Sequence, residues 1–217
     1  MDVQHRWIDE TLSPTRFRPY LLEADGDCAA AIELYWWNVE VSAAFYPALH
    51  CLELALRNAL HRQLVEKFGR SDWWEVAPLE DHHYALVGKA ADKVRRQLRQ
   101  RRPVTPDDLV AELSFGFWVW LVGKEYHRSL WEPWLHRAFP HRKQPRSALY
   151  RDLDEVRRFR NRIMHYEPIH HRHLEADHAT ILRLIRCVCP EVLVHLRRRD
   201  QVETILARRP ELGGERR

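Results

Sequence analysis

The stretch RFRNRIMHYEP, at 158–168, gathers arginine, asparagine and histidine side chains near the predicted end of a helix. Arginine keeps its charge and presents a planar fork to phosphate oxygens, whereas histidine exchanges protons near neutral pH. Together these groups can bind a phosphodiester and move the protons that its cleavage requires. In RNA the 2′-hydroxyl can serve as the nucleophile, so neither a metal ion nor a nucleophilic side chain is needed. DNA, which lacks that hydroxyl, would be spared.

The spacing of these residues on a helix leaves two interpretations open. Asn161 and His165 are four residues apart and share a face, and Arg162 lies three before His165. Arg160 lies about 140° around the helix from His165, so both would reach one phosphate only through a long side chain or a distorted last turn. Alternatively, arginine and histidine near a helix C-terminus bind the last carbonyl groups and complement the helix dipole without chemistry.

This stretch must lie on a helix if its side chains are to share a site. Apolar residues recur every three or four positions along the surrounding sequence, which predicts a helix over 146–166. Pro168 limits that helix because the residue before a proline is disfavoured in the α conformation. Glu167 is therefore expected outside the helix, with His165 in its last turn. The apolar positions of this pattern are Leu149, Leu153, Val156, Phe159 and Ile163.

The rest of the chain also reads as helical, because glycines are few and leucine, alanine, glutamate and arginine are abundant. We therefore predict an all-α fold in one domain, 1–217, with a lead-in segment at 1–26 and a frayed tail at 210–217. Asp27 is expected to cap a helix whose buried face includes Trp36, Val39 and Ala43, and Pro47 is expected to kink it or to open a second helix. Further helices are predicted over 48–68, 79–102, from Thr105 onward, over 170–186 and from Pro190 to 209.

Composition places few limits on function. A net charge of +4 and a pI near 9.0 permit an anionic partner without requiring one. The four cysteines form no C-x-x-C pair, which favours free thiols in a reducing cytosol. Because no unbroken apolar run reaches the roughly 18 residues of a membrane span, we expect a cytoplasmic protein with no membrane partner.

Four blocks of the chain together resemble the Abi-like (abortive infection) proteins of the HEPN superfamily, the higher eukaryotes and prokaryotes nucleotide-binding domains. They are LYWWN at 34–38, LELALRNA at 52–59, ELSFGFW at 112–118 and RNRIMHYEP at 160–168. The last block holds an arginine and a histidine in the R-x4-H spacing of that superfamily. The four blocks follow the family's order and run from 34 to 168, so the resemblance extends over most of the chain.

The resemblance implies a HEPN-like helical bundle with additional helices and a metal-independent endoribonuclease, a hydrolase of antiviral defence that needs no cofactor. It implies a homodimer in which the motifs of two chains meet in one cleft, with RNA as substrate and a nucleotidyltransferase-type antitoxin as a candidate partner. By the same analogy Arg160 would stabilise the phosphate, His165 would transfer protons, and Asn161 would orient the histidine or the substrate.

Other residues are expected to support that site or to contact RNA. Glu53 and Arg57 either form only a local i,i+4 ion pair or, with Asn58, face the motif helix and support the cleft. Tyr166 belongs with this supporting set. The candidate RNA contacts are Arg158, Arg162, Trp73 and Trp74, the two tryptophans because a loop would leave them free to stack on bases.

Two other functions stay open at this point. A catalytically inactive HEPN scaffold would bind RNA, nucleotide or a partner protein through the same residues. A metal-dependent hydrolase is suggested by the histidines that follow the motif, but no cysteine or acidic residue stands at a standard ligand spacing among them, so we predict no metal site. These histidines are His165, His170, His171, His173 and His178.

Overall fold

The computed structural model describes residues 6–99 and 101–212, and this part of the chain contains helices and no strand. The predicted all-α class is confirmed. The α-helices are α1 (Arg6–Thr11), α2 (Pro14–Glu23), α3 (Cys28–Phe68), α4 (Asp81–Leu98), α5 (Pro106–Glu112), α6 (Phe115–Trp120), α7 (Arg146–Met164), α8 (Leu174–Val188), α9 (Pro190–Leu196) and α10 (Val202–Leu206). Shorter 3-10 or π turns occupy Trp73–Glu75, Lys124–Tyr126, His127–Trp131 and Leu135–Ala138.

The long helix α3 organises the fold. The Asp27 carboxylate caps its start by accepting hydrogen bonds from the amides of Ala29 and Ala30, and the helix ends at Gly69 with φ +69°. The prediction that Pro47 opens a second helix is wrong, because α3 continues through it. Phe45 and Ala48, on either side of the proline, are both buried and hold the helix in the core.

By length and composition alone α3 is long and apolar enough to cross a membrane, and the core helix of a bundle meets the same criterion. Here α3 packs against α2, α8 and α10, and Leu34, Leu52 and Leu60 are fully buried along it. Nearly all of the buried apolar side chains in the described residues form one cluster, which extends from Ile8 in α1 to Val202 in α10.

The predicted helix starting at Thr105 is confirmed. It begins with a capping box, in which the side chains of Thr105 and Asp108 each accept a hydrogen bond from the backbone amide of the other residue. The apolar stretch that follows is divided into α5 and α6, because Ser114 caps a new helix by accepting a hydrogen bond from the amide of Phe117. The lead-in segment contains two helices, α1 and α2. Residues 213–217 of the predicted frayed tail lie outside the described residues.

Candidate active site

The end of α7 has the geometry of a Schellman turn. The His165 amide donates to the carbonyl of Asn161 at 2.9 Å, Tyr166 donates to Ile163 at 3.0 Å, and Glu167 donates to Arg162 at 2.9 Å. Tyr166 takes the left-handed conformation with φ +58°, where glycine is the usual residue. The prediction that Glu167 lies beyond the helix is confirmed, whereas the helix ends at Met164 and not at Tyr166, so His165 is its C-cap residue.

The imidazole of His165 is exposed, and its ring makes no hydrogen bond within the described residues. Its backbone carbonyl accepts a hydrogen bond from Arg16 Nη1 at 3.2 Å, and the same nitrogen lies 3.3 Å from the carbonyl of Tyr166. Arg16 belongs to α2, so a side chain of the lead-in segment holds the turn that contains His165 in place. Sequence reasoning missed this contact because 149 residues separate the partners.

Arg160 faces α3. Its Nη2 lies 3.4 Å from Oε2 of Glu53, and both side chains are only partly exposed. Its Nε is buried and has no hydrogen-bond partner within the described residues. The guanidinium is thus held in place by one carboxylate and keeps unused hydrogen-bonding capacity.

The ion-pair partner of Glu53 decides between the local pair with Arg57 and a position that faces the motif helix. Glu53 pairs with Arg160 of the motif helix, whereas Arg57 donates from Nε to the side-chain oxygen of Asn58 at 3.1 Å. Glu53 therefore occupies the supporting position that one of the two alternatives predicts. Arg57 and Asn58 pair with each other one turn further along α3.

The structure does not join the two predicted catalytic side chains within one chain. No hydrogen bond links Arg160 to His165 in the described part of the protein, since the arginine is paired across to α3 and the imidazole is in solvent. Asn161 binds His165 only through its backbone carbonyl. The predicted orientation of the histidine by the Asn161 side chain is therefore not seen in this arrangement.

The other two arginines of the motif differ in exposure. Arg158 is exposed and donates from Nη2 to Asp154 at 2.7 Å. Arg162 donates from Nη2 to the carbonyl of Pro168 at 3.0 Å and thereby holds the segment after the helix. Of these two candidate RNA contacts, Arg158 is the one at the open surface.

The prediction that Trp73 and Trp74 contact RNA is wrong, because both are buried in the core, at 0% and 3% exposure. Their rings meet edge to face with centroids 5.4 Å apart, and Trp73 Nε1 donates to His61 Nδ1 at 3.0 Å. The Trp73 ring also packs against Phe117 and Trp118. Neither ring is free to stack on a base.

The prediction of a buried face through Trp36, Val39 and Ala43 is also wrong, because all three are exposed. The first part of α3 is apolar nearly all round, and the stripe that packs inward is a neighbouring one that includes Leu34, Val41 and Phe45. The outward stripe forms one wall of a cavity of about 630 Å³ beside the motif, here called the aromatic groove. Its walls include Tyr20, Tyr35, Trp36, Tyr46, Met164 and Tyr166.

Asn38 is a second residue that sequence reasoning did not place in the site. It is 4% exposed, and its side-chain oxygen accepts hydrogen bonds from the amides of Ile169 at 2.8 Å and His170 at 3.2 Å. These bonds fasten the segment after Pro168 to α3. The asparagine thus positions the loop that follows the motif.

Several of the histidines after the motif have structural roles. His170 is buried beside Tyr20, with ring centroids 5.0 Å apart, and burial together with the neighbouring His171 lowers the pKa of His170 to about 4. His178 Nε2 lies 2.7 Å from Oδ2 of Asp200. No group of three or more histidine, cysteine or acidic side chains in the described residues is arranged to hold a metal ion.

Comparison of the chain with protein-family models, curated proteins and solved structures found no match. The resemblance to Abi-like proteins therefore rests on the four sequence blocks alone.

Proposed function

We propose that this protein is a metal-independent endoribonuclease of the HEPN type, which cleaves RNA as an abortive-infection or toxin-like enzyme. The observation that carries the proposal is the exposed imidazole of His165 at the end of α7, close in sequence to a partly exposed arginine of the same helix. Both side chains are accessible from solvent, as a reaction on a macromolecular substrate requires.

The chemistry would proceed by attack of the 2′-oxygen on the adjacent phosphorus. A base removes the 2′-hydroxyl proton, the new O2′–P bond forms as the P–O5′ bond breaks, and an acid protonates the departing 5′-oxygen. The products are a 2′,3′-cyclic phosphate and a 5′-hydroxyl. His165 would act in proton transfer, and Arg160 would stabilise the additional negative charge on the phosphate.

A homodimer would supply both groups to one linkage. Within one chain Arg160 pairs with Glu53, while the His165 ring extends into solvent without a partner in the described residues. A two-fold contact would bring two copies of each group together. In such an assembly the arginine of one chain can serve the histidine of its partner.

The first test incubates purified protein with RNA in EDTA, beside the variants Arg160→Ala and His165→Ala. We expect wild-type protein to cleave and each variant to lose roughly 100-fold or more in rate, the usual effect of removing an acid-base group or a charge-stabilising donor. Arg151→Ala and His195→Ala are matched controls, because both side chains are exposed and lie outside the motif. Equal cleavage by wild type and the two motif variants would contradict the proposal.

A second test addresses the shared cleft. If the arginine and the histidine that serve one linkage come from different chains, mixing Arg160→Ala with His165→Ala protein creates dimers with one intact site. We expect the mixture to recover part of the wild-type rate. A mixture as inactive as its components, under conditions in which differently labelled subunits are seen to exchange, would contradict the shared cleft.

The specific observation that favours the inactive-scaffold alternative is the Glu53–Arg160 pair, because it occupies the guanidinium in the absence of RNA. A scaffold would bind RNA and leave it intact. Glu53→Gln separates the two functions: an enzyme keeps its dependence on His165 in this background, whereas a scaffold shows altered binding and no cleavage.

A further inference from the structure

The aromatic groove adjoins the motif directly. Met164 and Tyr166, the residues on either side of His165, both line it. Its volume of about 630 Å³ lies within the range typical of small-molecule sites. The groove is therefore lined by both chain neighbours of His165, and it lies beside the end of α7.

The walls of the groove offer exposed aromatic surface. Trp36 is 50% exposed, Tyr46 is 54% exposed and Tyr166 is 83% exposed. The rings of Tyr35 and Trp36 pack edge to face with centroids 5.3 Å apart, and this contact supports the indole. Exposed rings of this kind bind unpaired bases by stacking, with little dependence on base identity.

The floor of the groove carries an unused hydrogen-bond donor. Asn38 lines the groove, and two backbone amides bind its side-chain oxygen, which fixes the orientation of the amide. Its Nδ2 group makes no hydrogen bond within the described residues, although the residue is only 4% exposed and so 96% buried. Ser42 beside it donates to the Asn38 carbonyl at 2.7 Å and keeps lone pairs free to accept.

The occupant must satisfy both features. A second copy of the chain that covered the groove with apolar side chains would leave the Asn38 donor buried and unpaired, which is unfavourable. A nucleobase presents flat faces to the aromatic rings and acceptor and donor atoms at its edge to Asn38 and Ser42. The polar floor therefore favours a base over a protein surface.

We infer that the aromatic groove binds one unpaired base of the single-stranded RNA whose scissile linkage lies at His165. This inference rests on the proposed function and adds its substrate class. RNA is recognised through an unstacked base, so double-stranded RNA, whose bases are paired and stacked, is excluded from the site.

The experiment measures binding without cleavage. The probes are a 2′-O-methyl oligonucleotide of about eight nucleotides and an abasic chain of the same length, each followed by fluorescence anisotropy. We expect wild-type protein to bind the base-bearing probe about tenfold or more tightly than the abasic one, in keeping with the stacking of one base. Trp36→Ala and Tyr46→Ala should bring the two affinities close together. Tyr84→Ala is the matched control, because Tyr84 is 50% exposed on α4 and should keep the preference.

The outcomes separate this inference from the proposed function. Because the probes are not cleaved, a preference for bases that depends on Trp36 supports the groove even if the protein proves inactive. Equal affinities of wild-type protein for the two probes overturn the groove, and RNA cleavage that depends on His165 can still stand. Sedimentation of the same variants completes the test: if Trp36→Ala dissociates a dimer and keeps the preference for bases, the groove is a subunit interface and the inference is wrong.

Discussion

Two groups of aromatic side chains lie at different positions along α3, one sealed in the core and one open to solvent. The sealed group, at the His61 end, contains Trp73, Phe117, Trp118 and Tyr126, all at most 1% exposed. The open group is the aromatic groove, where Trp36, Tyr46 and Tyr166 are at least half exposed. Aromatic residues in a sequence therefore indicate a ligand surface only when their packing partners are known.

The largest expected effect distinguishes the two groups by stability. Trp118→Ala removes a fully buried indole, so we expect the free energy of unfolding to fall by about 3–5 kcal/mol. Trp36→Ala removes a half-exposed indole, and its cost should stay within about 1 kcal/mol. Urea denaturation of both variants checks the contrast, and equal losses would contradict the assignment of one group to the core and the other to the surface.

A pH dependence of stability is the next largest effect. Burial lowers to about 4 the pKa of His83, which packs against Phe117 and Tyr126 of the sealed group, and that of His170 near the groove. Each histidine is protonated in the unfolded chain below about pH 6.5 but resists protonation in the fold, so stability is full above that pH and falls as pH drops towards 4. We expect each to contribute roughly 2–3 kcal/mol to this fall.

Denaturation at several pH values checks this prediction, with His83→Phe and His170→Phe as the test variants. Each should flatten the slope of stability against pH between 6.5 and 4. An unchanged slope in both variants would mean that other groups cause the acid sensitivity.

Asn38→Ala should have an intermediate effect. The substitution leaves the buried amides of Ile169 and His170 without their acceptor, which costs about 1–3 kcal/mol. Hydrogen exchange of those two amides should increase in parallel. Asn58→Ala, at an exposed position of the same helix, is the control and should cost less than about 0.5 kcal/mol.

The smallest effect concerns the turn that presents His165. Tyr166 has φ +58°, so Tyr166→Gly should relieve backbone strain and raise stability by up to about 1 kcal/mol. The same change removes a ring from the groove and should weaken binding of the base-bearing probe. Thermal unfolding together with anisotropy tests both parts, and a clear loss of stability would show that the tyrosine ring has a packing role.

Local signals in the sequence predicted three helix boundaries, namely the start of α5, the end of α3 and the end of α7 before Pro168. The Thr105–Asp108 capping box, the stop at Gly69 and the position of His165 before Pro168 each depend on a few adjacent residues. The site required contacts that local patterns do not encode. Arg16 reaches His165 across 149 residues, and Asn38 reaches Ile169 across 131.

The exposed stripe of α3 was unpredictable for a different physical reason. Apolar residues surround the first part of that helix, so periodicity could not decide between the stripe with Trp36 and the neighbouring one with Leu34. The tryptophans at 73 and 74 posed the converse problem, because a turn-like sequence suggested exposed rings, whereas both are buried and Trp73 packs against Trp118 of α6. Both outcomes depend on which helices come together.

The most direct measurement uses an RNA that the protein cleaves in EDTA, with a single 2′-deoxy substitution at the nucleotide before the cut. Because the 2′-oxygen is the proposed nucleophile, we expect cleavage at that linkage to disappear, while neighbouring cuts persist and end in 2′,3′-cyclic phosphates. Undiminished cleavage at the substituted linkage would contradict the account.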